Sequence, residues 1–340
     1  MGWCLGARRV GALAAAFGLL TTPALQAQEF AARTVNIVVG FAPGGGYDVY
    51  GRFLARHLGR HLPGTPAVVV QNMPGGGSLN LANFTANAAP SDGSHIALMN
   101  SAAALEPVLG NPEARFETAQ LRWVGNMNRD GVGCAAWTAS GVTSWADVVE
   151  RGAKFGGVGA AGTSSQHAFF MKNVLKVRID VITGYRGSNE VNLALQRGEA
   201  DATCGLFLSS MRGPYRQDYE AGRLKMLIQF GRTNEPYFKD AVNIYSLLQS
   251  EQEKHVTAFI FGQAEISRPL ALPPSTPAAI VATIRRAFDR AMKDPELLAD
   301  AERAGLDMAS ASGEETEKEF ALYAGVSKEI AARAQAAIRP

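Results

Sequence analysis

Three glycine-rich turns carry the chemistry this sequence can offer, each following a short apolar run and each leading into a helical pattern. The first is Val38-Val39-Gly40-Phe41-Ala42-Pro43-Gly44-Gly45-Gly46-Tyr47-Asp48 and the second is Asn72-Met73-Pro74-Gly75-Gly76-Gly77-Ser78. The third is Gly159-Ala160-Ala161-Gly162-Thr163-Ser164-Ser165-Gln166-His167. Adjacent glycines have no Cβ, so their backbone can approach a ligand closely. A helix N-terminus behind such a turn presents unpaired N–H groups and positive dipole density, which suit an anion. Gly44, Gly45, Gly46, Gly75, Gly76, Gly77, Ser78, Gly162, Thr163, Ser164 and Ser165 are therefore candidate ligand-binding residues. Ser101, just after the apolar run His95–Asn100, joins them.

Other chemistries fit less well. A dinucleotide fingerprint needs Gly-x-Gly-x-x-Gly, and Gly44-Gly45-Gly46-Tyr47-Asp48-Val49 lacks the closing glycine. The Gly-Lys-Ser/Thr of a phosphate-binding P-loop is also absent. Asp48 reads as a cap for backbone donors or as a contact for a ligand amine or hydroxyl. His167 could serve Ser164 or Ser165 as a base, although the stretch has no Gly-x-Ser-x-Gly elbow. The competing reading is a structural histidine. Arg186 in Gly184-Tyr185-Arg186-Gly187 could grip a carboxylate with its planar fork or simply stay solvated. Tyr185 beside it could wall a cleft or pack between lobes. His57 and His61 share a helix face at i, i+4, but no third ligand lies near them, so no metal site and no cofactor are expected. Cys134 and Cys204 could form a disulfide, remain buried thiols, or supply a reactive group. The rival to a binding protein is thus an exported enzyme using Ser164 or Cys204 as nucleophile and His167 as base.

The elements that must position these residues follow a regular order. Strands Val35–Val39, Val68–Gln71 and His95–Asn100 alternate with helices Asp48–His61, Leu79–Ala88 and Ala102–Leu109. After strand Arg122–Asn126 a second series runs through strands Cys134–Thr138, Lys154–Val158, Asp180–Thr183, Ala202–Gly205 and Leu224–Gly231. Its helices are Ser144–Arg151, Gln166–Leu175 and Asn189–Arg197, the last capped by Ser188. The remainder reads as strand Val256–Gly262, helices Ala278–Lys293 and Pro295–Gly305, and one long helix over Gly313–Ala336. Such alternation predicts an α/β protein of two lobes, each a mainly parallel sheet flanked by helices, with a cleft between them.

Arg8 and Arg9, the apolar run Val10–Leu20 and Leu25-Gln26-Ala27 have the layout of a secretory signal, with a retained anchor as the alternative. Removing 1–27 leaves 313 residues (340 − 27), and Lys plus Arg falls from 33 to 31 against 31 Asp plus Glu. A neutral, exported chain of this length suits two lobes and argues against a nucleic-acid partner. The expected division places 28–126 and 257–340 in lobe 1 and 127–256 in lobe 2. Closure is expected about crossings near Asn126–Asp130 and His255–Thr257.

At this point the ordered motifs carry a resemblance. The first two turns, Ala89-Pro90-Ser91-Asp92-Gly93, the loop ending in His167, Thr276-Pro277 and Asp294-Pro295-Glu296 resemble the tripartite tricarboxylate transporter receptors, the Bug family. The resemblance implies a periplasmic-binding-protein-like fold. It also implies a periplasmic receptor, monomeric, that closes on a small carboxylate solute and docks on large and small membrane permease subunits. A receptor feeding a membrane sensor is the alternative within the same fold. Two departures set the chain apart. Gly184-Tyr185-Arg186-Gly187 replaces the family's Pro-Tyr-Lys-Gly, and Thr203-Cys204-Gly205-Leu206 stands where an acidic pair is common.

Overall fold

The computed structural model describes Met1 and residues 33–340, so the export-signal reading of 1–27 lies outside the described residues, Met1 apart. Val35–Val39 (β1) leads through Gly46–Leu58 (α1) to Val68–Asn72 (β2), and Leu79–Asn87 (α2) leads to His95–Leu98 (β3). Ser101–Ala104 (α3) is shorter than the helix expected there, and turns carry the chain on to Arg122–Asn126 (β4). The second series comprises Val132–Trp137 (β5), Trp145–Arg151 (α4), Ala153–Val158 (β6), Thr163–Val174 (α5), Ile179–Tyr185 (β7), Ser188–Gln196 (α6) and Ala202–Phe207 (β8). Leu208–Arg212 (α7) and Arg216–Glu220 (α8) precede Leu224–Gln229 (β9) and Val242–Asn243 (β10). The last part is Glu251–Gly262 (α9), Pro269–Leu272 (β11), Ala278–Met292 (α10), Pro295–Ala304 (α11), Ala311–Ser312 (β12), Gly313–Ala324 (α12) and Lys328–Ala337 (α13). No helix among the described residues is long and apolar enough to cross a membrane.

Two six-stranded sheets result, ordered β12-β4-β11-β3-β1-β2 and β10-β9-β5-β8-β6-β7. The strand–helix–strand units make β1 parallel to β2 and β3, and β6 parallel to β7 and β8. Strands β11 and β5 each arrive from the other sheet and run antiparallel to their neighbours. Each sheet is therefore mixed, parallel at one side and antiparallel around the strand that brings the chain across. Ile37, Val39, Phe53, Phe288 and their neighbours fill the first core, and Phe155, Phe170, Ile228 and Phe261 belong to the second.

Several expected elements are corrected. Val256–Gly262 is the second half of α9 and not a strand, because Ser250 and Glu253 form a reciprocal capping box that starts a helix. Val256, Phe259 and Ile260 then fall on one helical face and bury against the second core. The return strand is β11, whose Pro269 occupies a first-strand position that tolerates a missing N–H. The long terminal helix breaks between Ala324 and Lys328, where Ser327 caps a new helix, and α13 packs into the second core. Gly187, not Ser188, is the N-cap of α6.

The chain crosses between the sheets at 127–131 and 263–268. The two crossings bond to each other: Met127 N donates to Arg268 O (3.1 Å), Ser267 N to Asn128 O (3.2 Å) and Asp130 N to Ala264 O (3.2 Å). His255–Thr257, expected at a crossing, lies inside α9. Cys134 on β5 and Cys204 on β8 are joined by a disulfide that closes a separation of 70 residues.

Candidate functional site

Three helices begin at the seam between the sheets, α1 from the first and α5 and α6 from the second. Their N-caps are Gly45, Gly162 and Gly187, and none receives a side-chain cap. Five helices that start elsewhere, α4, α9, α11, α12 and α13, are capped by the side chains of Ser144, Ser250, Asp294, Ser312 and Ser327, whereas α2, α7, α8 and α10 are not capped in this way. First-turn N–H groups have no partner within a helix, and the positive end favours negative charge. Of the three, the start of α1 at Gly45 and Gly46 stands on the wall of the space between the sheets.

The seam encloses a cavity with about 710 Å³ of space between atoms, part of it open to solvent. Gly45 and Gly46 from α1, Thr163 and Ser164 from α5, and Cys204 from β8 stand on its wall, as do Asn100, Ser188 and Ser210. Phe41, Tyr47, Val158, Val191, Leu195, Leu206, Phe207, Tyr215 and Leu224 make most of the wall apolar. Arg268, at the second crossing, is the charged residue on that wall.

Arg268 is 1% exposed. Its guanidinium carbon lies 4.5 Å from the ring centroids of Tyr47 and Phe207 and 4.9 Å from that of Tyr50. Nη1 donates to Ser267 O (2.8 Å) and Nη2 to Ser209 Oγ (3.3 Å), while the buried Nε has no hydrogen-bond partner. The Tyr47 hydroxyl is likewise buried and unpartnered, and burial pushes its pKa up to about 12 against the pull of Arg268. Asp130 provides a counter-charge without forming an ion pair with Arg268. Its carboxylate accepts from Ser209 N (3.1 Å), from the Ser209 hydroxyl and from Asn128 Nδ2 (3.0 Å). Burial pushes the Asp130 pKa up to about 6, with Arg268 and Ser209 opposing. A desolvated cation with an unspent donor at a cavity wall is completed by an anion.

The remaining candidates from the sequence lie off this wall. Asp48 organises the first turn: it accepts from Gly44 N (2.9 Å), Arg52 Nε (2.8 Å) and Asn72 Nδ2 (2.9 Å). Burial pushes its pKa up, but these hydrogen bonds outweigh it and hold the carboxyl below its ordinary value. Gly76 and Gly77 meet the third turn backbone to backbone, while a Cβ on Gly75 would strike the side chain of Asn80. A Cβ on Gly77 would lie 2.1 Å from Gly162 N, and Gly77 has φ of 71°. Ser78 is fully buried and accepts from Asn100 N (3.2 Å). Ser101 is a buried residue at the start of α3. The Ser165 hydroxyl donates to Val158 O. Arg186 is exposed and contributes its carbonyl, which accepts from Ala42 N across the seam (3.0 Å), while Tyr185 packs against the first core.

The nucleophile–base constellation is not formed. His167 is buried between Phe230 and Phe261, at ring-centroid distances of 5.0 and 4.4 Å, and neither ring nitrogen has a hydrogen-bond partner. Burial pushes its pKa down to about 3, so the ring is neutral. Ser164 Oγ accepts from Val158 N (3.0 Å), and Cys204 is spent in the disulfide. No group of three or more metal-binding side chains occurs among the described residues.

Sequence reasoning missed Arg268, Ser188's place on the wall, Ser210 and the aromatic cage. The one signal for Arg268 was a lone arginine wedged between Ile266 and the apolar run Pro269–Leu272, where a solvated side chain is out of place.

Comparison with known proteins gives three findings. The family model described as "Tripartite tricarboxylate transporter family receptor" matches residues 51–330. A Cupriavidus necator protein described as "UPF0065 protein in gbd 5'region" is 38% identical over 82 residues, so the match spans 24% of this chain and only 24% of that protein's length. Among solved structures, periplasmic binding protein BugD superposes with a TM-score of 0.73 at 19% identity, covering 90% of this chain and 98% of its own. MatC from Rhodopseudomonas palustris with bound malate gives 0.67 at 18% identity (90% and 99% covered), and an R. palustris protein with adipate gives 0.68 at 18% (91% and 98%).

Proposed function

The chain belongs to the tripartite tricarboxylate transporter receptor family, and from that premise we propose that it captures a small carboxylate between its lobes and delivers it to membrane permease subunits. Its family and its structural neighbours are solute-binding proteins, not enzymes, and two of those neighbours hold malate and adipate. The observation that carries the carboxylate reading is Arg268: a buried guanidinium with a free Nε, on a cavity wall shared with the uncapped start of α1. A carboxylate there takes a charge-assisted hydrogen bond from Arg268 and further donors from the Gly45–Gly46 turn.

Capture requires the lobes to part and close about 127–131 and 263–268, a hinge motion of an ordinary kind. Hydrogen bonds across the seam belong to the closed form. Asn189 Nδ2 donates to Pro43 O (2.8 Å), Thr163 Oγ1 to Asn100 Oδ1 (3.0 Å) and Gln166 Nε2 to Glu106 Oε1 (2.7 Å).

Thermal unfolding against a panel of organic acids and their neutral amides tests the reading. An acid present at a hundred times its Kd should add about 2.7 kcal/mol of stability, and its amide almost none. Folded protein that responds to no acid would sink it.

A further inference from the structure

The cavity is charged at one end only. Gly45 and Gly46, Ser188, Ser210 and Arg268 form that end: a Cβ on Gly45 would lie 2.7 Å from Ser188 Oγ, and one on Gly46 would lie 2.8 Å from Ser210 Oγ and 3.5 Å from Arg268 Nη2. Val191, Leu195, Leu206 and Leu224 line the rest, and the last three belong to an apolar cluster of the second lobe.

The hydroxyls on the remaining wall each already hold one hydrogen bond within the protein. Thr163 Oγ1 donates to Asn100, Ser164 Oγ accepts from Val158 N, and Thr203 Oγ1 donates to Gly156 O (2.8 Å). The start of α5 is covered as well, since a Cβ on Gly205 would sit 2.9 Å from Ser164 N, and Gly77 presses on Gly162. Among the described residues the wall therefore offers one cation with a cluster of donors beside it, and away from that end no charge but the neutral side-chain amide of Asn192.

We propose that the ligand is a monocarboxylate with an apolar body, seated with its head at Arg268 and its body against Val191, Leu195, Leu206 and Leu224. This rests on the carboxylate reading above and narrows it. A second carboxylate on the same molecule would be buried against leucine and valine with no counter-charge and, at most, the Asn192 side-chain amide as a donor.

Calorimetric titration of the signal-free chain at pH 7 with pairs of equal carbon number tests this: butanoate and succinate, hexanoate and adipate, octanoate and suberate. All these carboxyl groups are ionised at that pH, so the members of a pair differ in one charge. In the best-bound pair the monoacid should bind at least tenfold more tightly. A diacid that equals or exceeds its monoacid in that pair overturns the apolar-bodied ligand while leaving a carboxylate receptor standing. Silence from all six acids overturns both. The comparison uses the unmutated protein, so it does not depend on any variant folding; Arg268→Gln, where it folds, should weaken binding of the preferred acid at least about tenfold.

Discussion

Removing a guanidinium from water costs several kcal/mol unless its charge and donors are met. Arg268 recovers part of that through two hydrogen bonds, three aromatic faces and the field of Asp130, and leaves Nε unspent. A charged hydrogen bond contributes about 1.5–3 kcal/mol, so Arg268→Gln should weaken acid binding about 10- to 150-fold in calorimetry. Arg268→Lys keeps the charge but loses the planar fork, and its affinity should fall between the two. Asp130 makes a separate prediction. Its folded pKa of about 6 lies above the ordinary value of 3.8, so between those pH values the folded state binds the proton more strongly. Stability from this group is full below about pH 4, falls as pH rises to about 6, and stays lost above, by on the order of 3 kcal/mol. Urea unfolding from pH 4 to 7 should show that decline in the natural chain and a flatter curve for Asp130→Asn. Neither residue announced itself in the sequence, because each acquires its role from burial at a crossing that no local period marks. Asp48 was half legible: its capping role follows from position, but its bonds to Arg52 and Asn72 need the fold.

Among the elements, the glycine turns were legible as turns but not by task. Gly45 and Gly46 reach the cavity, while Gly76 and Gly77 meet Gly159–Gly162 from the other lobe. Gly77→Ala should therefore hinder closure and leave each lobe intact. If the closed population falls to about a tenth, the apparent affinity falls about tenfold, with the far-ultraviolet spectrum unchanged. The disulfide ties β5 to β8 beneath the cavity. The chain-entropy account gives about 4 kcal/mol for a loop of this length, so the double change Cys134→Ala and Cys204→Ala should lower the denaturation midpoint by a matching amount. Sequence spacing could not pair these cysteines, because only the sheet order makes β5 and β8 neighbours. The α9 error has a similar lesson: four apolar residues in a row read as a strand, whereas the Ser250–Glu253 capping box upstream already marked a helix start.

At the scale of the whole molecule, the alternating strand–helix pattern was enough to foretell two α/β lobes with a cleft. The mixed sheets were not foretold, since β5 and β11 take their antiparallel direction from entering the opposite lobe. The arrangement places both crossings and Arg268 together, so the residue proposed to grip the solute also sits at the proposed hinge. Binding and closure should thus be coupled. A crystal structure of the protein carrying its preferred acid tests this account most directly. The account predicts the carboxylate within about 3 Å of the Arg268 guanidinium and facing the Gly45–Gly46 turn, with the lobes closed along the Gly77–Gly162 contact. An acid bound elsewhere, or bound in the cleft with its carboxylate turned away from Arg268, would contradict it.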